Sequence, residues 1–290
     1  MKSIYIAVTA HNPLSRVAQI LEVLKGYTTL PLKVDVDFYI DSDHRHDLDE
    51  FSLIVASHIK LNRIGFSVAP SFYTGFSLCW AHKPYFVKQV EEKNYDFYMY
   101  SEDDMKFTEQ NFSYWLKYKN FLKQFNYEPG FCRFEKCKGR KIPFDNYRKW
   151  SLNGETKSVW GDVPYKCDFL LTPNDSEFIG FTTLGNPYNG MMILDQEQAD
   201  EYIKSESMHP EKSHALTGKR NWPIADRSSM GTAFENLLPW QEHRRVVPLV
   251  RSGDSLTLAE CGLLEHLDKK YSVALAKEQP IIDTDTMFTY

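Results

Sequence analysis

The chain has 290 residues, 42% of them hydrophobic and 25% charged, with a formal net charge of −5. That length supports a sizeable core in one large domain or two small ones. The acidic balance excludes an overall basic footprint for nucleic acid, and no apolar run approaches the roughly 20 residues that span a bilayer.

The opening MKSIYIAVTAHNP carries one Lys and a short apolar run that breaks at once into polar residues. It reads as a first strand, Ile4–Thr9, rather than a signal peptide. Asn12-Pro13 marks a turn, and SRVAQILEVLKGY follows with Val17, Ile20, Leu21 and Leu24 at helical spacing and Gly26 in the place of a C-cap. Val34–Ile40 is a second strand that ends in the polar loop DSDHRHD. Phe51–His58 fits a strand or a short helix. Phe76–Glu92 reads as a helix that starts or restarts near Pro84. A strand, Phe97–Tyr100, leads to a helix capped by Thr108, with Phe112, Trp115 and Leu116 on one face. Strands alternating with helices predict a mainly parallel, doubly wound sheet.

The second half is more irregular. Phe131–Phe134, Lys166–Leu171, Phe178–Thr183 and Met191–Leu194 read as strands. Asp195 with Gln198 forms a capping-box start for QEQADEYIKS. A helix is expected after Pro223 and through MGTAFENLL, then strands at Arg245–Val250 and Leu263–Leu267. The expected organisation is a single domain with a first half, 1–125, a second half, 126–271, and a tail, 272–290. Five cysteines, Cys79, Cys132, Cys137, Cys167 and Cys261, include no CxxC pair. Reduced thiols and a cytoplasmic chain follow.

Three acids, Glu102, Asp103 and Asp104, close the strand in DFYMYSEDDMKFTEQ. In an open α/β sheet ligands bind beyond the carboxyl ends of strands, and three anions there repel unless a positive partner joins them. A divalent cation is the simplest partner, because Mg²⁺ and Mn²⁺ prefer carboxylate oxygens and leave positions for phosphates. The other reading is a solvated turn and helix cap. Neither GxxxxGK[ST] nor a GxGxxG after the first strand is present, so a diphosphate handled here would need the metal to neutralise it.

The run FSLCWAHKPYFVKQVEEKNYDFYMYSEDDMKFT, with PGFCRFE at Pro129–Glu135, resembles the nucleotide-sugar glycosyltransferases of the GT-A fold, whose DxD motif follows such a strand in variants that include EDD. The resemblance covers roughly half the chain, mostly the first half. It implies an α/β, Rossmann-like mixed sheet, mainly parallel and flanked by helices. It also implies that Asp104 binds Mn²⁺ or Mg²⁺ directly, with Asp103 or Glu102 on the metal or on the donor.

The same resemblance places the donor base and ribose against Thr9, Ala10, His11 and Asn12, and an acid that reads uracil or ribose at Asp41. Asp41 and Asp43 fit an Asx-type turn equally well, and His44 and His46 read as surface residues. His82 is a candidate for the base and Lys83 for the diphosphate. On the acceptor side the resemblance implies a glycine segment, an acid at a helix start and a C-terminal metal histidine. Gly190 in Tyr188-Asn189-Gly190-Met191 fits the first and Asp226 the second, with Glu235 as the rival general base. His266 is preferred to His243 for the third. Arg244, Arg245 and Lys269 are spare cations. The expected activity is transfer of a sugar from a nucleotide sugar, a UDP-sugar by preference, to a glycan or glycolipid hydroxyl in surface polysaccharide synthesis. Peripheral association with the inner face of a membrane is compatible with that role. Two alternatives are a non-catalytic carbohydrate-binding protein on the same fold and a metal-dependent phosphoester hydrolase.

Overall fold

The computed structural model describes residues 1–143, 145, 148–152, 155–159, 165–166, 178–216, 222–253, 255–269 and 288–289. In chain order the first elements are β1 (Ser3–Ala10), α1 (Val17–Tyr27), β2 (Lys33–Ile40), α2 (Leu48–His58), β3 (Arg63–Val68), α3 (Lys83–Glu91), β4 (Phe97–Glu102) and β5 (Met105–Lys106). Then come α4 (Glu109–Lys123), β6 (Glu128–Pro129), β7 (Cys132–Cys137), β8 (Arg140–Pro143), β9 (Arg148–Leu152), β10 (Glu155–Val159), β11 (Tyr165–Lys166) and β12 (Gly180–Thr182). The remainder is β13 (Met191–Asp195), α5 (Gln196–Tyr202), α6 (Pro210–Leu216), α7 (Ile224–Ser229), β14 (Arg245–Ser252), β15 (Ser255–Leu258), β16 (Leu263–His266) and β17 (Phe288–Thr289).

The chain forms two compact units, Met1–Glu109 with Gly190–Leu237, and Gln110–Asn189 with Leu238–Tyr290. The first unit takes back Gly190–Leu237, so the acceptor-side segment 126–271 expected from the sequence is shared between the two. The architecture is mixed α/β, with the mainly parallel sheet that the alternation predicts.

In the first unit β1 to β4 are parallel, in the order β13-β4-β1-β2-β3, and only the edge strand β13 is antiparallel. Ile4, Tyr5, Ile6, Ala7 and Val8 are all fully buried, as a central strand covered on both faces requires. On one face Tyr5, Ala7, Tyr98 and Tyr100 pack with Phe86 and Val90 of α3 and Ala199 and Tyr202 of α5. On the other, Phe38 stacks on Phe66 and meets Phe51 of α2 edge-on. The chain steps outward from β1 to β3, then returns past β1 to β4. The strand order therefore reverses between β1 and β4, the switch point where such sheets bind ligands.

Several local expectations change. Leu48–His58 resolves as a helix, and DSDHRHD holds a short 3-10 helix, Ser42–Asp47. Ahead of α3, Gly75–Trp80 is a separate 3-10 turn, and Pro84 sits in the first turn of α3 as its fixed φ favours. The expected helix through MGTAFENLL stops at Ser229, and Gly231 follows at φ +55. The capping box at Asp195 and Gln198 is formed. Gly26 is not a C-cap: α1 continues through it and Thr28 closes the helix. It is glycine because the Phe107 carbonyl passes close, 2.5 Å from where a Cβ would stand.

In the second unit β7 pairs parallel with β16 and antiparallel with β8, and β14 pairs antiparallel with β12 and β15. Cys132, Phe134, Leu184, Val247, Leu249 and Leu263 share its core. Helix α4 buries Phe112, Tyr114, Trp115 and Tyr118, and Leu116, expected on that face, is 39% exposed. Tyr114 and Tyr118 at i, i+4 meet Phe178 and Phe181, and that turns Leu116 outward. Phe288–Thr289 of the expected tail pair with β15 and β11. Residues 167–171, expected as strand, lie outside the described residues. Among the described residues no helix is long and apolar enough to cross a membrane.

Gly26→Ala tests the close approach. Helix propensity favours Ala by roughly 1 kcal/mol, but a backbone oxygen at 2.5 Å cannot yield as a side chain would. Overpacking of this kind costs about 1–3 kcal/mol. Urea unfolding should show a lower midpoint with an unchanged m-value.

Candidate metal and donor site

Adjacent strands β1 and β4 end in register, Thr9 beside Glu102. Thr9 Oγ1 and the Tyr100 hydroxyl are hydrogen-bonded across them at 2.9 Å. Asn12, at φ +47, turns the chain after β1, and the Ser15 hydroxyl donates to its carbonyl at 2.9 Å. The turn returns Arg16 towards the end of β4. Its Nη2 lies 2.8 Å from Asp104 Oδ2 and 3.0 Å from Asp103 Oδ1. Asp103 and Asp104 are 4% and 5% exposed. Burial pushes the nearby Tyr27 phenol up, and the two carboxylates push it the same way. Two hard oxygens that converge on one nitrogen form a donor set that a divalent cation also takes.

Glu102 is the last residue of β4. Its N–H donates to the Gly190 carbonyl at 2.9 Å. Gly190, at φ +64, leaves no room for a Cβ beside Met105. Glu102 and Gly190, read separately from the sequence as candidate site residues, are thus joined by a backbone hydrogen bond.

At the end of β2, Asp41 is buried and does two jobs. One oxygen accepts the Asp43 N–H at 3.1 Å, the Asx-type bond that caps the 3-10 turn. The other is 3.0 Å from His11 Nδ1, which fixes the ring of a side chain that is itself 56% exposed. His44 meets His11 edge-on at 5.0 Å. His44 and His46 both pair with Asp47, at 3.2 and 3.1 Å. Thr9, Ala10, His11, Asn12, Asp41, Glu102, Asp103, Asp104 and Gly190 therefore all belong to the first unit, around the carboxyl ends of β1, β2 and β4.

His82 and Lys83 are placed differently. His82 is fully buried and stacks on Tyr100 at 3.8 Å, and burial holds its pKa well below the usual range, so the ring is neutral. Lys83 donates to the Ser228 carbonyl at 2.9 Å and to the Tyr202 hydroxyl, with the Trp80 ring 5.1 Å from its ammonium. Burial drives its pKa well down. The residue ties α3 to α5 and α7.

Asp226 is half-buried in the first turn of α7, whose first carbonyl, Ile224, accepts the Trp80 indole N–H at 2.9 Å. Glu235 is engaged elsewhere: its Oε1 accepts the Ser207 N–H at 2.9 Å and the Ser207 hydroxyl at 2.6 Å.

In the second unit His266 is the last residue of β16. Its Nδ1 is 2.7 Å from Glu135 Oε1, and both side chains are buried. A carboxylate beside Nδ1 favours the tautomer that carries its proton there. His243 instead turns its Nε2 to the Leu184 carbonyl at 2.8 Å. Arg245 is no spare cation, since it bonds the Pro187 carbonyl at 2.7 Å and Glu128 at 3.3 Å. A second buried pair, Arg133 with Asp145 at 2.7 Å, lies under the Tyr188 ring. Burial raises the Asp145 carboxyl, and Arg133 pulls it back.

Sequence reading missed Arg16 and the Glu135 partner of His266. A signal existed for each: Arg16 is the only Lys or Arg between β1 and α1, and Glu135 closes the quoted PGFCRFE.

No model of a known protein family matches the chain, and no curated protein matches it either. Among solved structures the chain is similar to a 4-diphosphocytidyl-2C-methyl-D-erythritol synthase from Anaerococcus prevotii. That likeness has 13% identity and a TM-score of 0.35 over 74% of this chain and 81% of the other.

Proposed function

We propose that the chain is a metal-dependent glycosyltransferase that moves a sugar from a nucleotide sugar, with a UDP-sugar as donor, to a hydroxyl of a glycan or glycolipid. One observation carries this reading: Asp103 and Asp104 are buried at the carboxyl end of β4, beside the switch point, with their oxygens converging. Asp104 and Asp103 hold Mn²⁺ or Mg²⁺ with oxygen donors that suit either ion. His266 of the second unit, paired with Glu135, is the histidine that the resemblance implies as a metal ligand. When bound, the cation supplies Lewis-acid neutralisation of the departing diphosphate. The loop from Thr9 to Asn12 contacts the nucleoside, with His11 held in place by Asp41. Asp226 takes the acceptor proton if the transfer inverts the anomeric carbon. Lys83 and His82 leave the donor contacts, because both are buried among α3, α5, α7 and the sheet.

The Arg16 bridge favours a second reading, a carbohydrate-binding protein that keeps this fold and needs no metal. Thermal melting with UDP separates the two. A transferase should be stabilised by UDP only when Mn²⁺ is present, by about 2.7 kcal/mol at a hundredfold excess over Kd. Asp104→Ala should remove that Mn²⁺-dependent gain and abolish donor turnover; an unchanged gain and full turnover in this variant would refute the site.

The two candidate bases give opposite signatures. Asp226→Asn should lower kcat by about 10²–10⁴ while the UDP and Mn²⁺ melting shift stays intact. Glu235→Gln should lower stability by about 1 kcal/mol, because it weakens the acceptor for two donors of Ser207. Full turnover by Asp226→Asn, with collapse of kcat in Glu235→Gln, would reverse the assignment.

A further inference from the structure

We infer that Trp80 and Lys83 are positioning residues: each grips one end of α7 by a backbone carbonyl, and together they set the place of Asp226, which lies between those two carbonyls in the chain. This rests on the reading of Asp226 as the base for the acceptor hydroxyl.

Helix α7 has only six residues, Ile224–Ser229. Isolated helices shorter than about 12–15 residues are marginal in water, and the last carbonyls of a helix find no partner within it. Pro223 at the N-cap makes no side-chain capping bond. The helix is therefore held from outside. The Trp80 indole N–H donates to the Ile224 carbonyl at 2.9 Å, and Lys83 Nζ donates to the Ser228 carbonyl at 2.9 Å. Ile224 and Ser228 are four residues apart, so their carbonyls lie along one side of the helix. Ala81 and His82 are helical in φ and ψ, which puts Trp80 and Lys83, at i and i+3, on one side of their own turn. Lys83 Nζ is 5.1 Å from the Trp80 ring.

One side of WAHK thus meets one side of α7 at two points, and two points fix a direction as well as a position. Both side chains are buried, Trp80 at 1% and Lys83 at 5% exposure, where a donor left without its acceptor is costly. The turn that carries them is itself anchored, because His82 stacks on Tyr100 of β4 at 3.8 Å. Arg227 makes a separate tie, to the Pro210 carbonyl and, at 2.8 Å, to the Ser213 hydroxyl. Loss of one anchor on the WAHK side therefore shifts α7 rather than melting it. A misplacement of about 1 Å at a catalytic group costs on the order of 10²-fold in rate.

The test measures UDP release by the whole chain with Mn²⁺, with water as acceptor and UDP-glucose, UDP-galactose and UDP-N-acetylglucosamine as probes. Lys83→Met keeps an unbranched side chain and removes the donor. It should lower kcat at least about tenfold, with the donor KM and the melting shift by UDP and Mn²⁺ unchanged. The deciding variant combines Lys83→Met with Asp226→Asn. A residue that acts through Asp226 has nothing left to position there, so the double variant should match Asp226→Asn in kcat. Trp80→Phe, which keeps a ring and loses the N–H, should behave in the same way, and it serves if Lys83→Met does not fold. Hydrogen exchange should quicken in Ile224–Ser229 while β1 and β4 keep their protection; unchanged exchange there overturns the inference. If Asp226→Asn lowers kcat but Lys83→Met leaves it unchanged, or lowers it by the same factor with and without Asp226, the inference is overturned and the base assignment stands. If Asp226→Asn keeps full turnover, or the natural protein releases UDP from none of the probes, the reading of Asp226 fails and the inference fails with it.

Discussion

Two carboxylates buried side by side need a positive partner, and the organisation around Asp103 and Asp104 follows from that need. Nothing within β4 can supply it, because a central parallel strand is apolar on both faces. The partner comes from the neighbouring strand. Because β1 and β4 run parallel and in register, the loops that leave them start side by side. The positive φ of Asn12 then turns the first loop back, and Arg16 reaches the acids before α1 begins. Sheet order, loop conformation and charge compensation are one arrangement seen at three scales.

The same rule governs other buried charges. Arg133 is matched by Asp145, Arg245 by Glu128 and a carbonyl, and His266 by Glu135. Lys83 is an exception that shows the cost. It meets a carbonyl, a hydroxyl and two aromatic faces but no carboxylate among its hydrogen bonds, and burial lowers its pKa instead. A matched pair is held by its own hydrogen bonds. An unmatched ammonium gives up part of its hold on its proton.

Much of the first unit was legible because its signals are local. Continuous apolar runs mark parallel strands, and Pro84 and the Asp195–Gln198 box act within one helical turn. The acids at the end of β4 were legible for the same reason. Partnership was not. Arg16 and Asp104 are 88 residues apart, and His266 and Glu135 are 131 apart, so no window of sequence holds both members. Glu235 shows the same limit from the other side: an acid near a helix reads as a base until Ser207, distant in sequence, is seen to occupy it. Gly26 looked like a cap because a cap is the local reason for a glycine, and the actual reason, the Phe107 carbonyl, comes from another segment.

Partnership also decides which residues remain for chemistry. A charge whose partner is buried with it is fixed, since parting them leaves a charge uncompensated in a dry place. That removes Arg133, Arg245 and, for its own reasons, Lys83 from any role that requires movement or a change of partner. Asp103 and Asp104 differ, because the acids are buried but their partner is partly in water. The pair at the end of β4 is thus joined by an arginine whose side chain keeps 25% exposure, unlike the arginine of the Arg133–Asp145 pair.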